Sequence, residues 1–203
     1  MILGILSVLT YLIGSIPTGV ILSRVFGRGD LQQQGSRNIG ATNVSRVMGK
    51  KWGIITLIGD VFKGTAAVWL GQWGLNSTPG TPDFALSLVA LAAFLGHLFP
   101  VYLGFKGGKG VATALGIFLV FSPLVAFLAV PIFIGVVLVG KYVSLGSMLS
   151  AASFPMLLFI LHYPAPVVWL AVVIAAFIIG KHHENIRRLL RGQEKPWNKK
   201  NQL

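Results

Sequence analysis

Five long apolar runs constrain this chain more than any other feature of its sequence. They cover residues 2–23, 52–75, 84–99, 147–161 and 165–180. Each run is long enough, or nearly so, to cross ~30 Å of hydrocarbon as an α-helix. Because a helix satisfies its own backbone hydrogen bonds, it is one of the few structures that can span a bilayer. The runs therefore predict an all-α, multi-pass transmembrane bundle.

The composition agrees with a membrane protein. Hydrophobic residues make up 54% of the 203 residues and charged residues only 11%, whereas soluble domains are about a quarter charged. The chain has no cysteine, which excludes disulfides and thiolate metal sites. The first run lacks the positive segment and the small-residue cleavage pattern of a secretory signal, so we expect it to be retained as a span.

The segment 111–140 decides the number of spans. Pro123 divides it, so it forms either one long kinked helix or two short ones. Lys and Arg favour the cytoplasmic side of a membrane. Two short helices give about seven spans, with the N-terminus outside and the C-terminus in the cytoplasm, and place every Lys and Arg except Lys63 on one face. A single crossing would put Lys106 and Lys141 on opposite faces.

We therefore predict one integral membrane domain over residues 1–203, with residues 191–203 as a flexible cytoplasmic tail.

Lys and Arg together number 17 against five acidic residues. Such an excess suits nucleic acid, anionic lipids or anionic substrates. Because the positive charges follow the topology, and no aromatic stacking platform accompanies them, nucleic acid is the disfavoured partner.

The stretch "FKGGKGVAT", residues 105–113, breaks the apolar pattern. Its glycines allow the backbone to approach a ligand closely, and an apolar run that predicts a helix follows. A helix N-terminus favours an anion, and Lys106 and Lys109 add positive charge, so we expect a phosphate here. The spacing does not fit a Walker A loop. The alternative is that the two lysines only set the topology.

Three other polar segments lie on the predicted cytoplasmic face. The long loop 27–51 either lines a polar pocket or is a solvated linker. The second is "KYVSLGS", residues 141–147, in which Ser144 and Ser147 are suited to capping a helix. The segment 181–195 continues the last span, and its arginines suit lipid headgroups. That role does not explain the other polar residues at the membrane boundary, which are His182, His183, Glu184 and Asn185. Within the second span, Asp60 and Lys63 are spaced to form a structural ion pair.

Taken together, these segments resemble the PlsY-type bacterial glycerol-3-phosphate acyltransferases, over essentially the whole chain. The resemblance is carried by "SRNIGATNVSR" (36–46), "GHLFPVYLGFKGGKGVAT" (96–113), and "HHENIRRL" with "GQE" (182–189 and 192–194). The first motif often reads Ser-Gly-Asn in the family, whereas this chain has Arg37 in place of the glycine.

The resemblance implies transfer of an acyl group from acyl phosphate to the sn-1 hydroxyl of glycerol 3-phosphate. The products are lysophosphatidic acid and phosphate, and neither coenzyme A nor acyl carrier protein is required. It also implies the bacterial inner membrane, contact with membrane lipids, and an active site that faces the cytoplasm. We expect no metal or other cofactor, because too few carboxylates face the cytoplasm to bind Mg²⁺.

The resemblance also implies the site residues. The expected catalytic residues are Ser36, Arg46, Lys106, His182 and Asn185. The expected substrate-binding residues are Asn38, Thr42, Asn43, His97, Gly107, Gly108, Lys109, Ser144 and Glu194.

Three proton acceptors are possible: His182, His97 and the phosphate of the donor itself. The competing function is a transporter or flippase for a phosphorylated small molecule or lipid. No internal repeat supports a transporter, and the polar residues lie on one predicted face.

Overall fold

A computed structural model describes residues 1–76 and 84–197. In this part of the chain all regular structure is helical. The helices are α1 (Ile2–Ser15), α2 (Thr18–Val25), α3 (Ala41–Met48), α4 (Lys50–Gly74), α5 (Phe84–Leu98), α6 (Val111–Phe121), α7 (Pro123–Gly140), α8 (Val143–Ile160), α9 (Ala165–Lys181) and α10 (His183–Leu190), with a short 3₁₀ helix at Val101–Leu103. They form two compact units, Met1–Phe121 and Ser122–Leu203.

Four described helices are each long and apolar enough to cross a membrane: α4, α5 with the 3₁₀ helix, α7 and α8. Two bent pairs reach that length when each pair is taken together, α1 with α2 and α9 with α10. Helix α6 is apolar but has only 11 residues. The predicted class, an all-helical protein with helices that can span a membrane, is confirmed; the number of spans stays a prediction.

Proline accounts for two of the helix boundaries. The first run was predicted as one span over 2–23, and the structure divides it into two helices that meet at 43° and reach the length of a span only together. Pro17 lacks a backbone N–H and disfavours helical geometry at Ile16, whose ψ is 114°. The division of 111–140 into two helices is confirmed. Ser122 accepts a hydrogen bond from the Val125 amide and Pro123 occupies the first turn of α7.

In the first unit, the long helices pack through small residues. A side-chain carbon at Gly14 would collide with the backbone of Ala93, and one at Gly64 would collide with the backbone of Thr113. These contacts bring α1 against α5 and α4 against α6, as is common where helices pack in membranes.

The polar segments of the first unit lie at one of its ends. Helix α4 runs antiparallel to α1 and α2, because Gly74 lies against Leu6 while Asp60 meets Thr18. The end near Asp60 therefore holds the start of α4, the end of α2 and all of α3. The predicted loop 27–51 also proves to contain α3, a helix that was not predicted.

In the second unit, α7 and α8 are antiparallel: the Ser150 hydroxyl donates to the Ala129 carbonyl at 3.0 Å, and Gly146 lies against Phe133. The junction of these helices meets the C-terminal segment, where the Trp197 amide donates to the Lys141 carbonyl at 2.9 Å. The expected tail therefore starts with residues that contact this unit, and 198–203 lie outside the described residues. The single-domain organisation stays a prediction.

Candidate functional site

Asn43 organises the loop that precedes α3. Its side chain is 1% exposed. The Oδ1 atom accepts a hydrogen bond from the Ser36 amide at 2.7 Å, and Nδ2 donates to the carbonyls of Leu31, Gln34 and Asn38 at 3.3, 3.0 and 2.8 Å. Asn43 was expected to bind substrate. In the structure, its polar atoms fix the path of the loop, which places Ser36.

The remaining residues of the first motif lie on or beside α3. Thr42 and Arg46 are exposed and four residues apart, so they share one face of that helix. The Asn38 Oδ1 atom accepts a hydrogen bond from the Gly40 amide at 2.9 Å. Arg37 has φ 59°, in the left-handed region that favours glycine. This conformation explains why glycine suits the position at which this chain departs from the family pattern.

The first and second motifs are in contact. The Gln32 side-chain amide donates to the Lys106 carbonyl at 2.9 Å, which ties the loop before α3 to the turn at 105–110. Lys106 is exposed and Lys109 is half-buried, and α6 begins at Val111 directly after the turn, as predicted. The contact of Gln32 was not predicted, because one glutamine in a polar loop carries no pattern.

The glycines of this turn are needed for close packing on the end of α5. A side-chain carbon at Gly107 would overlap the carbonyl of His97, and one at Gly108 would overlap the His97 imidazole. One at Gly110 would meet the ring of Phe94. The sequence suggested that these glycines allow a ligand to approach closely. In the structure, they allow the turn to pack against the end of α5.

A buried polar network lies beside this turn. Asp60 and Lys63 form the predicted ion pair, with Oδ1 and Nζ 3.0 Å apart. Asp60 also accepts a hydrogen bond from the Thr18 hydroxyl at 3.2 Å. His97 is 4% exposed, and its Nδ1 lies 3.0 Å from the Thr113 hydroxyl and 3.8 Å from Asp60 Oδ1. His97 therefore connects α4 and α6 to the turn.

In the second unit, Glu194 joins three side chains. Its Oε1 accepts hydrogen bonds from the Ser144 hydroxyl at 2.8 Å and the Asn185 amide at 2.6 Å, and its Oε2 accepts one from Arg188 Nε at 2.7 Å. Ser144, Asn185 and Glu194 were all expected as site residues, and the structure brings them together. Arg188 was not singled out, since its pattern suited lipid headgroups.

The ionised form of Glu194 is favoured by these partners. Burial raises the pKa of its carboxyl, but the hydrogen bonds from Arg188, Asn185 and Ser144 outweigh burial and hold the pKa below its ordinary value. Neither Ser144 nor Ser147 caps the start of α8, the other role suggested by their positions. The Ser147 hydroxyl instead donates to the Val143 carbonyl at 2.9 Å, and α8 begins at Val143 without a side-chain cap.

His182 lies at the bend between the last two helices. The helix was expected to continue from the last span, but α9 and α10 meet at 57°. His182 is buried, and its Nδ1 lies 2.7 Å from the Ile178 carbonyl. Because a carbonyl only accepts hydrogen bonds, this contact places the proton of a neutral ring on Nδ1. It leaves Nε2 as the nitrogen able to accept a proton.

Within the ranges 1–76 and 84–197, no three or more His, Asp or Glu side chains are grouped so that they could hold a metal ion. The expected site residues are distributed over both units. The first unit holds the residues of the first two motifs, and the second unit holds Ser144, His182, Asn185 and Glu194.

Comparison with known proteins identifies the family. A model of the glycerol-3-phosphate acyltransferase family matches residues 4–192. A glycerol-3-phosphate acyltransferase of Syntrophotalea carbinolica is 50% identical over 184 residues, covering 91% of this chain and 92% of the relative. The enzyme of the same name from Aquifex aeolicus is 43% identical over 191 residues, covering 93% of this chain and 96% of its own length.

Two crystal structures of PlsY, an integral membrane glycerol 3-phosphate acyltransferase, have the same fold. The glycerol 3-phosphate form gives a TM-score of 0.89 at 41% identity, and the lysophosphatidic acid form gives 0.87 at 40%. Each comparison covers 96% of this chain and 94% of the other. The chain is an acyltransferase and belongs to the glycerol-3-phosphate acyltransferase family.

Proposed function

We propose that this chain transfers a fatty acyl group from acyl phosphate to the sn-1 hydroxyl of glycerol 3-phosphate, as the first acylation of phospholipid synthesis. A bond forms between the hydroxyl oxygen and the acyl carbon, and the bond from that carbon to the phosphate oxygen breaks. The products are lysophosphatidic acid and inorganic phosphate. The related crystal structures, described as glycerol 3-phosphate and lysophosphatidic acid forms, support the acceptor and the product.

One observation carries the proposal: the loop before α3 contacts the lysine-containing turn through Gln32 and Lys106. Both substrates carry phosphate, so a site for them needs positive charge and N–H donors. Lys106 and Arg46 supply the charge, and Ser36, Asn185 or backbone N–H groups are the candidates for stabilising the developing oxyanion. Asn38, Thr42, Lys109, Gly107 and Gly108 complete the proposed contacts with phosphate and glycerol.

The hydroxyl proton must leave during the transfer. His182 Nε2, His97 and the donor phosphate are the candidate acceptors. Acyl phosphate has a good leaving group, so the protein mainly has to orient the hydroxyl and stabilise negative charge. No step of this reaction needs a metal, coenzyme A or acyl carrier protein.

We further propose seven spans in the bacterial inner membrane, with the N-terminus outside and the polar ends facing the cytoplasm and membrane lipids. This count includes the short α6. Because the chain has no cysteine, single cysteines can test the orientation. In intact cells, an impermeant maleimide should label Asn76→Cys and leave Lys51→Cys unlabelled. The reverse pattern would contradict the orientation.

The function is tested with purified protein, acyl phosphate and radiolabelled glycerol 3-phosphate. We expect labelled lysophosphatidic acid and an equal amount of released phosphate. Acyl-coenzyme A should not replace the donor. Absence of lipid product, with uptake of label into proteoliposomes, would instead support a transporter.

A further inference from the structure

We infer that His97 is a positioning residue, which holds the turn at 105–110 for phosphate binding and does not accept the hydroxyl proton. The inference rests on the proposed function, because it concerns how the lysines of the turn are presented to a phosphate. Three sets of contacts support it: those of the Asp60 and Lys63 pair, those of the imidazole, and those of the turn.

The Asp60–Lys63 ion pair contacts both helix ends at the break between α1 and α2. Lys63 Nζ donates to the Ile16 carbonyl at 2.8 Å, at the C-terminal end of α1. Asp60 accepts from the Thr18 hydroxyl, at the first residue of α2. A helix is partly negative at its C-terminus and partly positive at its N-terminus. Each buried charge therefore lies at the helix end of opposite sign, which fixes the position of the pair.

The imidazole of His97 is held on its Nδ1 edge. The Thr113 hydroxyl on α6 lies within hydrogen-bond distance, and the Asp60 carboxylate on α4 lies just beyond it. Lys63 is the other charged group of this network, and its ammonium contacts the same carboxylate oxygen. His97 is thus oriented by two helices in addition to its own.

The opposite edge of the ring supports the turn. His97 Nε2 occupies the space that a side chain at residue 108 would need. The Gly108 amide also donates to the His97 carbonyl at 3.1 Å. Side chain and backbone of one residue therefore fix the middle of the turn, and Gln32 fixes the Lys106 carbonyl beside it.

These contacts argue against His97 as the proton acceptor. A general base must reach the proton that it removes. Here Nδ1 faces Thr113 and Nε2 faces the backbone of Gly108, in a side chain that is buried. The geometry supports the turn and leaves the proton to His182 or to the donor phosphate.

Two threonines provide a matched test. The Thr113 hydroxyl of α6 contacts His97 of α5, whereas the Thr65 hydroxyl of α4 donates to the Gly116 carbonyl of α6 at 2.9 Å. Each is replaced by valine, which removes a hydroxyl and preserves shape. We expect Thr113→Val to raise the KM for glycerol 3-phosphate by about 5- to 10-fold, with a smaller effect on kcat. Thr65→Val should change KM by less than about twofold.

His97 itself is tested with asparagine and alanine. The amide of His97→Asn can replace Nδ1. We therefore expect the kcat/KM of His97→Asn to be about 5-fold or more above that of His97→Ala. His97→Asn should also keep the wild-type shape of the pH–rate profile. Thermal unfolding of each variant monitors folding.

The inference is overturned if Thr113→Val and Thr65→Val have equal KM values. It is also overturned if asparagine and alanine both lower kcat by ~10²-fold or more, the loss expected for a missing base. Failure of the proposed function is a separate result, in which the wild-type protein makes no lysophosphatidic acid.

Discussion

Two buried carboxylates, one in each unit, hold polar groups in place by different means. Asp60 lies within α4, and its close partners are the Lys63 ammonium and the Thr18 hydroxyl. Glu194 lies in the segment after α10 and accepts three direct hydrogen bonds. The first carboxylate joins helices through a fully buried ion pair. The second joins helix ends through a chain segment that folds back on them.

The difference lies in how well each charge is compensated. Both members of the Asp60–Lys63 pair are at most 5% exposed, so losing one leaves a buried charge without its partner. Arg188, the charged partner of Glu194, has 35% of its side chain exposed. Water can solvate part of that arrangement after a substitution. We therefore expect larger effects at the first carboxylate than at the second.

The largest effect should come from Lys63→Met. It leaves the Asp60 charge and the Ile16 carbonyl without the ammonium, and we expect the free energy of unfolding to fall by about 3–5 kcal/mol. The double variant Asp60→Asn/Lys63→Met should lose less than the two single variants together. Denaturant unfolding in detergent measures all three. A loss below about 1 kcal/mol for Lys63→Met would contradict the account of this network.

The next largest effect should come from Glu194→Gln. Its carbonyl can still accept from Ser144 and Asn185, but its amide faces the Arg188 donor, so we expect a loss of about 1.5–3 kcal/mol. The matched control is Glu184→Gln, because Glu184 lies 3.7 Å from the same arginine and its side chain is 65% exposed. The control should cost less than about 1 kcal/mol. Equal losses would show that the cluster does not depend on Glu194.

The effect of Glu194 should also depend on pH. Its pKa is lower in the folded protein than its ordinary value, so its stabilising contribution is complete above the ordinary value. The contribution is lost as the pH falls through the lower, folded-state pKa. The stability difference between wild type and Glu194→Gln should therefore be larger at pH 7 than at pH 3. A difference that grows on acidification would reverse the sign of the account.

The smallest effect should be a gain in stability from Arg37→Gly. Arg37 has φ 59°, which is unfavourable for a side chain but not for glycine, so relief of strain should exceed the added entropy cost by about 0.5–1 kcal/mol. Arg28→Gly is the control, since Arg28 is not at positive φ and should gain nothing. Thermal unfolding distinguishes them, and a loss of stability in Arg37→Gly would contradict the prediction.

Much of the fold could be predicted because apolar length directly indicates helices in a membrane. The division at Pro123 and the spacing of Asp60 and Lys63 were also readable, since proline and i, i+3 pairs act locally. The break at Pro17 was missed although the same rule applies, because the apolar run continues through it. Helix α3 was missed because eight polar-rich residues give too short a periodic signal.

The contacts of the candidate site could be predicted only in part. The positions of Ser144, Asn185 and Glu194 followed from family resemblance, but their joining through one carboxylate depends on the fold of residues 191–197. Likewise, Gln32 and Lys106 are far apart in sequence and meet only in the folded unit. Contacts of this kind leave no local pattern, so composition and spacing do not reveal them.

The central claim is that the lysine-containing turn binds a substrate phosphate, and Lys106→Ala tests it most directly. Lys51→Ala is the control, since Lys51 is also exposed at the polar end of the first unit. We predict that Lys106→Ala lowers kcat/KM for glycerol 3-phosphate by about 30- to 1,000-fold, as expected when a charged donor to phosphate is lost. Lys51→Ala should stay within about twofold. Equal kcat/KM values for the two variants would contradict the claim.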